Sequence, residues 1–355
     1  MDVSTAPRSD GPIVIIQPLP GVGDMVWHLR AIHSLAAAYP DHEKVLLTKY
    51  RSRADELFKA DPAIERVIWV DRAEKHKGPG GFLALVRDLK QEGFSRSFQL
   101  HHSTRYAAAL AMAGVPERFG YGTTAATRWL SAPPHLGSAH RRDHPIELAE
   151  KFIERCGFAV PKHADRLRVA PALANDVQQR YAGCPRPWIS LGLGSSEVFK
   201  QWGAERFAGL IGRLIAQTPA TFFLLGGPGE ADFERRLQAT ASKAAGPNKA
   251  VLVPGFKAPM SEMIAVQAAS DLYIGNDTAF LNISAAVGVP TYGLFGATEP
   301  LSYSPVIKPI LPHNGPISRQ DGMQRIDPST VADLVLQQLT ATTGTKMSTA
   351  ASSDV

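Results

Sequence analysis

The sequence has 355 residues but only two cysteines, Cys156 and Cys184, and it has no long apolar run. Two cysteines cannot form a disulfide framework or a cysteine-rich zinc site, so a reducing compartment is the default. No apolar stretch approaches the roughly 20 residues that a membrane-spanning helix needs. Residues 1–12 lack a positive segment followed by an apolar one, which argues against a signal peptide. We therefore expect a cytoplasmic protein.

Motifs for metal, dinucleotide and nucleic-acid binding are also missing. The sequence contains no Asp-x-Asp and no His-Glu-x-x-His, and His140 and His144 have no third ligand at a suitable spacing. The glycines of residues 226–229 lack the full Gly-x-Gly-x-x-Gly spacing of a dinucleotide site. No basic run is interleaved with aromatic residues, as nucleic-acid binding would favour. We therefore expect no metal, no bound cofactor and no nucleic-acid partner, and we assign no role to His101 or His102.

The composition is that of a folded protein with an uneven charge. Hydrophobic residues make up 44% of the chain, which is enough for sizeable cores and excludes a disordered protein. Residues 1–170 contain 24 Lys and Arg against 19 Asp and Glu, whereas residues 171–355 contain 14 of each. The basic half suits an anionic partner, such as a phosphorylated substrate or an acidic membrane surface. Scattered solvated side chains explain so small an excess equally well.

Short β-branched runs alternate with amphipathic helices along nearly the whole chain. This alternation is typical of parallel sheets covered by helices, and it predicts the doubly wound α/β class. The predicted strands cover residues 13–16, 44–48, 66–70, 95–100, 188–193, 221–225, 250–253, 271–274 and 291–294. The main predicted helices cover residues 25–39, 52–60, 82–92, 104–113 and 146–156.

Prolines crowd the stretch from residue 123 to residue 187, and the α/β alternation restarts after it. The length of the chain also favours two domains. The predicted segments are an N-terminal domain over residues 1–170, a linker over 171–187, a second domain over 188–328, a final helix over 329–341 and a disordered tail over 342–355.

Ligands of doubly wound domains bind outside the carboxyl ends of the strands, so the strand-to-helix loops are the candidate sites. The first such loop runs from Pro18 to Asp24. Gly21 and Gly23 let its backbone approach a ligand or turn sharply. Asp24 would lie at a helix N-terminus, where it either contacts a ligand or caps the helix. The loop alone favours the cap.

The loop over residues 192–202 combines glycines, two hydroxyls and a lysine. Ser195, Ser196 and backbone N–H groups could donate to a phosphate, and Lys200 would supply the positive charge. A structural Gly-Ser turn is the alternative. The loop lacks the Gly-Lys-Ser/Thr of a Walker motif.

Two further loops open helices in the second half. Glu230, after a Gly-Gly-Pro-Gly turn, could accept hydrogen bonds from ribose hydroxyls or be an ordinary first-turn carboxylate. Asp277 and Thr278 begin another helix, whose N-terminal amides form an anion site unless Asp277 is only its cap.

Taken together, the four loops resemble the ADP-heptose:lipopolysaccharide heptosyltransferases, which form glycosyltransferase family nine. Each segment is weak evidence by itself, but the ordered set is fairly specific and spans roughly residues 12 to 340. The matching segments are Gly21-Val-Gly-Asp24, Lys200-Gln-Trp-Gly-Ala-Glu-Arg-Phe207, Leu224-Leu-Gly-Gly-Pro-Gly-Glu230, and Gly275-Asn-Asp-Thr278 through Pro290 to Phe295-Gly-Ala-Thr-Glu-Pro300.

The resemblance implies a GT-B architecture, with two Rossmann-like doubly wound domains facing a central cleft. The N-terminal domain would bind the acceptor and the C-terminal domain the nucleotide-sugar donor, with the final helix packing back on the first domain. The implied reaction is a metal-independent, inverting transfer of a sugar from a nucleotide diphosphate, with ADP as the expected carrier. The acceptor would be an anionic glycan or glycolipid of the bacterial surface, such as the lipopolysaccharide core. A glycolipid acceptor would bring the enzyme to the inner face of the inner membrane as a peripheral protein.

The same resemblance implies roles for individual residues. Asp24 matches the family's general base, and Gly23 lies beside it in the substrate site. The second domain would bind the donor through Glu230 on the ribose and Asp277 beside the diphosphate. The groups that would neutralise the departing diphosphate in place of a metal are Ser195, Ser196, Lys200 and the amides of Thr278 and Ala279.

The sequence departs from the family pattern Asp-Ser/Thr-Gly-x-x-His at two positions. Ala279 replaces the glycine, and Asn282 replaces the histidine, so a cationic contact to the diphosphate or sugar is lost. The donor sugar could therefore differ from heptose. Two other functions stay open: a nucleotide-sugar epimerase of GT-B fold, and a non-catalytic relative that binds a nucleotide or glycan.

Overall fold

The computed structural model describes residues 10–227, 233, 235–239, 250–255, 257–301 and 303–351. The chain divides into two compact units, Met1–Arg168 (unit 1) and Val169–Val355 (unit 2). Each unit has its own sheet, and every strand pairing in both sheets is parallel. Helices connect the strands, so the predicted doubly wound α/β class is confirmed.

Unit 1 contains a five-stranded sheet in the order β3-β2-β1-β4-β5. Its strands are β1 (Ile13–Ile16), β2 (Lys44–Thr48), β3 (Arg66–Trp69), β4 (Arg96–Gln99) and β5 (Glu117–Gly120). Its helices are α1 (Val22–Trp27), α2 (Leu29–Ala38), α3 (Ala54–Leu57), α4 (Gly78–Glu92), α5 (Thr104–Met112) and α6 (Pro145–Arg155). The strand order reverses between β1 and β4, which opens a crevice at their carboxyl ends.

Unit 2 contains a six-stranded sheet in the order β11-β10-β9-β6-β7-β8. Its strands are β6 (Trp188–Gly192), β7 (Ala220–Leu225), β8 (Ala250–Pro254), β9 (Leu272–Asn276), β10 (Thr291–Leu294) and β11 (Ile307–Ile310). Its described helices are α7 (Pro171–Arg180), α8 (Ala204–Gln217), α9 (Met260–Ala269), α10 (Ala279–Val287) and α11 (Pro328–Ala351). The order reverses between β6 and β9, at the position equivalent to that of unit 1.

Both sheets are built from strands that are buried on both faces. The four side chains of β1 are fully buried, as expected for the central strand of a parallel sheet. In unit 2, α8 places Phe207, Ile211 and Leu214 against the sheet at helical spacing. The first turns of α11 pack on α8 through Val331 and Val335, so this end of the last helix belongs to the core of unit 2.

The predicted linker over residues 171–187 instead contains helix α7, which packs on α9. Pro171 occupies the first turn of this helix, where its missing N–H costs nothing, so the proline starts a helix rather than a loop. Helix α11 continues through residues 342–351, the first part of the segment predicted as a disordered tail. No proline follows Pro328 to interrupt the helix. Residues 352–355 lie outside the described residues.

Candidate active site

Asp24 lies in the first turn of α1, the helix that follows β1. Its Oδ2 accepts a hydrogen bond from the backbone N–H of Gly21 at 2.9 Å, so the capping contact is present. A Cβ at Gly21 would come within 2.7 Å of that oxygen, so the close contact requires glycine. Burial raises the pKa of Asp24, while the Gly21 N–H, His144 and Lys49 lower it in opposition. The carboxyl group is therefore a stronger base than an exposed one.

His28 lies between α1 and α2, one turn after Asp24, and is completely buried. Its Nδ1 donates to the backbone oxygen of Asp24 at 2.7 Å, since a carbonyl can only accept. Gln17 donates to the same oxygen at 3.2 Å. Burial lowers the pKa of His28 to about 4, so the ring is neutral at pH 7. His28 and Gln17 thus hold the main chain that carries the Asp24 carboxyl group.

His101 and His102 follow β4, the strand that borders the crevice opposite β1. Burial lowers the pKa of His101 to about 4, and His102, Lys49 and His28 add to this effect. Burial also lowers the pKa of His102, which lies 2.6 Å from the Thr123 hydroxyl. No role was predicted for this pair from the sequence. Their position just after a strand was nevertheless a sign that they could lie at a ligand site.

A cationic and aromatic surface lies beside α1 at the ends of β2 and β3. Tyr50 is 69% exposed, its ring lies 5.2 Å from that of Trp69, and α1 packs against the turn that begins at Tyr50. Burial lowers the pKa of Lys49, nearby Arg72 lowers it further, and Asp24 raises it in opposition. Lys49 therefore lies in the neighbourhood of Asp24, and Arg72 lies near Lys49. No sequence motif predicted a role for any of these residues.

In unit 2, Lys200 in the loop after β6 forms an ion pair with Asp277 in the loop after β9. The strand order reverses between these two strands. The Lys200 ammonium lies 3.1 Å from Asp277 and 2.9 Å from Glu197. The Thr298 hydroxyl donates to the same Asp277 oxygen at 2.8 Å. Burial works against the charge of Lys200, but Glu197 and Asp277 together raise its pKa. Lys200 is therefore a fixed cation at this edge of the sheet.

Asn276, the last residue of β9, fixes the loop that carries Lys200. Its Nδ2 donates to the backbone oxygen of Leu193 at 2.7 Å, and its Oδ1 accepts from the N–H of Trp202 at 3.1 Å. The side chain is fully buried, so it has no access to solvent. These bonds hold the first and last parts of the loop against the end of β9.

The two serines of this loop differ in their environment. The Ser195 hydroxyl accepts from the N–H of Glu197 at 3.1 Å, and its backbone oxygen accepts from Gln201 at 2.8 Å. Ser195 thus makes the contacts of a structural turn. Ser196, in the same loop, is exposed.

Gly23, the remaining predicted site residue of unit 1, lies in the first turn of α1 beside Asp24.

Thr278 is the N-cap residue of α10, which begins at Ala279. Asn282 is 4% exposed, and its Nδ2 donates to the Thr278 backbone oxygen at 3.1 Å. The hydroxyl of Tyr303 donates to Asn282 Oδ1. Both the nitrogen and the oxygen of the Asn282 side-chain amide therefore make hydrogen bonds within unit 2. Glu230, the predicted ribose ligand, lies outside the described residues.

The described ranges contain neither a cluster of metal ligands nor a membrane-spanning helix. No group of three or more His, Cys, Asp or Glu side chains there is arranged to hold a metal ion. None of the helices in these ranges combines the length and the apolar character needed to cross a membrane.

Comparison with known proteins gives one family and several similar folds. The family model described as glycosyltransferase family 9 (heptosyltransferase) matches residues 82–319. No curated protein sequence matches the chain.

The similar solved structures include two from E. coli and one from Veillonella parvula. ADP-heptose LPS heptosyltransferase II of E. coli is 18% identical over 93% of this chain and 99% of its own, with a TM-score of 0.71. A family 9 glycosyl transferase from V. parvula DSM 2008 is 18% identical over 93% of this chain and 98% of its own, with a TM-score of 0.74. E. coli heptosyltransferase WaaC is 18% identical over 92% of this chain and 99% of its own, with a TM-score of 0.68. At this identity the likeness shows the fold, which is of the GT-B type.

Proposed function

The chain belongs to glycosyltransferase family 9, and we propose that it catalyses the inverting transfer of a sugar. The proposed donor is heptose or a related sugar linked to a nucleotide diphosphate. The proposed acceptor is an anionic surface glycan, such as the lipopolysaccharide core. The observation that carries this proposal is the environment of Asp24. Its carboxyl group lies at the strand-reversal crevice of unit 1, and burial raises its pKa. A carboxyl group of this kind suits a general base.

The proposed reaction is one displacement at the anomeric carbon. The acceptor hydroxyl oxygen forms a bond to that carbon while the bond from the carbon to the diphosphate oxygen breaks. Asp24 takes the hydroxyl proton as the new bond forms, because a carboxylate is too weak a base to ionise an alcohol beforehand. The nucleoside diphosphate leaves with the bonding electron pair. Gln17 and His28 act as positioning residues, since they bind the backbone oxygen of Asp24.

We assign the donor to unit 2, with Lys200 and the first amides of α10 on the diphosphate. Helix N-termini and lysines are common phosphate ligands, and here they come from the loops after β6 and β9. The phosphate would compete with Glu197 and Asp277 for the Lys200 ammonium. We propose that these groups, with Ser195 and Ser196 in the loop that carries Lys200, make a metal dispensable. Glu230 stays the proposed ribose ligand, and the WaaC structures with ADP and with ADP-2-deoxy-2-fluoro heptose support ADP as the carrier.

We assign the acceptor to unit 1, at the surface formed by Lys49, Tyr50, Trp69 and Arg72. The two cations suit a phosphate or carboxylate on the acceptor, and an exposed aromatic ring offers a flat apolar face to a sugar. A glycolipid acceptor would place the reaction at the cytoplasmic face of the inner membrane. The positive charge of residues 1–170 is compatible with that location.

The decisive assay combines ADP-heptose with a lipopolysaccharide-core acceptor. The proposal predicts ADP release that depends on the acceptor, together with a product of inverted anomeric configuration by NMR. Interconversion of the free nucleotide sugar without acceptor would instead indicate an epimerase. Donor binding without turnover, against a full panel of acceptors, would indicate a non-catalytic relative.

A thermal-shift panel of nucleotide sugars identifies the donor sugar. A ligand at about 100 times its dissociation constant stabilises the protein by roughly 2.7 kcal/mol. Because Asn282 stands where the family has histidine and its amide bonds to Thr278 and Tyr303, the panel should extend beyond heptose.

A further inference from the structure

A cavity of unit 1 lies at the amino-terminal edge of its sheet, opposite the edge that carries Asp24. We call it the amino-edge pocket. Its volume is about 500 Å³, and it is lined by α2, the first residue of β2, residues 61–63 and residues 161–168. A pocket of this size is in the range that binds small molecules. Nothing in the proposed transfer reaction uses it.

The lining of the amino-edge pocket is strongly basic. Asp61 is its one carboxylate and is 4% exposed. Asp61 Oδ2 lies 2.9 Å from His33 Nε2, and its Oδ1 accepts from the N–H of Ala63 at 3.0 Å. Hydrogen bonds from the protein thus engage both oxygens of the Asp61 carboxylate. The basic side chains around the pocket are Lys44, Lys162, Arg166 and Arg168. The Lys44 ammonium is paired with Glu65 at 2.8 Å and Arg168 lies 3.8 Å from Asp61, so part of this positive charge is already compensated.

His33 clamps the floor of the pocket. Its Nδ1 lies 2.5 Å from the backbone oxygen of Ala164, and its Nε2 faces Asp61. Both ring nitrogens therefore face an acceptor, a backbone carbonyl on one side and a carboxylate on the other. Burial acts against the Asp61 carboxylate, but its bond to His33 holds the pKa of Asp61 below its usual value. The clamp joins α2, the Asp61 loop and residues 161–168, so the floor is formed in advance.

A turn with an unusual backbone brings the basic residues to the pocket. His163 has a φ of 61°, in the left-handed region that favours glycine. On either side of it, the N–H of Ala164 bonds to the oxygen of Pro161 at 3.2 Å, and the N–H of Arg166 bonds to the oxygen of His163 at 3.0 Å. The chain thus folds tightly, so residues 162, 166 and 168 border a single cavity.

We propose that the amino-edge pocket binds the phosphoryl group of a small anionic ligand, at a site separate from that of Asp24. Arginine and lysine donors bind phosphate oxygens with charge-assisted hydrogen bonds. Ala36 and Ala37 add an apolar wall for the organic part of the ligand. The phosphoryl group belongs either to a soluble metabolite or to a lipid headgroup, which share this chemistry. The site does not depend on the transferase activity.

The test is a calorimetric titration of full-length protein with inorganic pyrophosphate. All proteins carry Lys200→Ala, which weakens the contribution of the proposed donor site. We expect the double variant Lys162→Glu/Arg168→Glu to bind pyrophosphate at least tenfold more weakly than its parent. The matched control is Arg87→Glu/Lys90→Glu on the exposed face of α4, which makes the same charge change outside the pocket and should leave the affinity unchanged.

Arg168 lies 3.8 Å from Asp61, so the double variant could also lose stability. Lys162→Glu alone is therefore measured as well, with circular dichroism to verify the fold. Sedimentation with phosphatidylglycerol vesicles, against phosphatidylcholine vesicles, tests the lipid source. Loss of pyrophosphate binding supports a soluble ligand, and loss of vesicle binding alone supports a headgroup. No loss in either assay, or an equal loss in the α4 control, overturns the proposal.

Discussion

Unit 1 and unit 2 have the same arrangement of strands around their crevices, but the chemistry at the two crevices is opposite. In unit 1, burial raises the pKa of Asp24 and lowers that of His28 and His101, so all three shift toward their neutral forms. In unit 2, Lys200 is held by two carboxylates and keeps its charge. One backbone topology thus presents a carboxyl group with raised pKa in one unit and a fixed cation in the other.

The difference follows from whether a buried group has a counter-charge. Burial penalises any charged form, and a nearby opposite charge compensates for that penalty. Among the described residues, the Asp24 carboxyl group has a hydrogen bond from a backbone N–H and no ion pair, whereas Lys200 is within 3.1 Å of both its partners. A group that exchanges a proton benefits from the first arrangement, and a group that holds an anion benefits from the second. The fold is shared, and the loops determine the chemistry.

The largest effect is expected from a substitution at Asp24 in unit 1. We expect Asp24→Asn to lower the single-turnover transfer rate by roughly 10²–10⁴, because the proton acceptor is lost. Stability should not fall. Burial raises the pKa of Asp24 above 3.8, so the stability from this group is highest below pH 3.8 and declines as the pH rises through the raised value. Asn has no charge to bury and can keep the cap.

The melting temperature at pH 7 is the control for that variant, and we expect it to equal or exceed that of the wild type. A transfer rate close to wild type would leave Asp24 with a purely structural role.

The next effect concerns acid stability, which should depend on the buried histidines of unit 1. The pKa of His28 falls from 6.5 to about 4 on folding, which corresponds to about 3 kcal/mol. This stability is present above pH 6.5 and is lost as the pH falls toward 4, because the unfolded chain then binds a proton that the folded chain does not. Denaturant unfolding between pH 7 and pH 4 measures it.

We expect His28→Gln to flatten this pH dependence. His313→Gln, a change at an exposed histidine of unit 2, should leave it as steep as in the wild type. Equal slopes for wild type and His28→Gln would contradict the burial argument.

A smaller effect is expected at the cation of unit 2. Lys200→Ala should weaken ADP binding by about ten- to a hundredfold, the loss of one charge-assisted contact at roughly 1.5–3 kcal/mol. The matched variant Glu197→Gln removes one of the two carboxylates that compete for the ammonium, so ADP should bind as tightly as before or more tightly. Calorimetry checks both. Weaker ADP binding by Glu197→Gln would mean that the carboxylate supports the site.

The smallest expected effect is that of metal removal. If Lys200 and the α10 amides neutralise the diphosphate, EDTA should leave the transfer rate unchanged. Activity that EDTA abolishes and magnesium or manganese restores would show that unit 2 requires a cation of another kind.

Much of the fold could be predicted because buried strands leave a clear β-branched signal. The strand predictions failed where that signal is weak. β5 is a four-residue edge strand with two charged residues, and β11 contains Pro309, which an edge strand tolerates. Prolines also hid α7, since Pro171 is compatible with a helix start. The single helix predicted over residues 25–39 is divided at His28, a break that periodicity cannot detect.

The candidate site was predictable only to the level of loops. The position of Asp24 after the first strand and of Lys200 after a later one follows from the alternation of elements. The contact of Lys200 with Asp277 does not, because it requires β9 to lie next to β6. The shifted pKa values of His28 and His101 depend on burial, which a single sequence does not contain. For the same reason the buried support from Asn276 could not be predicted.

The most direct test of the division of roles between the units is ADP affinity, measured by calorimetry on the wild type, Asp24→Asn and Lys200→Ala in parallel. We expect Asp24→Asn to bind ADP as the wild type does, although its transfer rate is reduced. We expect Lys200→Ala to bind ADP about ten- to a hundredfold more weakly. Equal weakening in both variants, or unchanged affinity in Lys200→Ala, would contradict the assignment of the base to unit 1 and of the donor to unit 2.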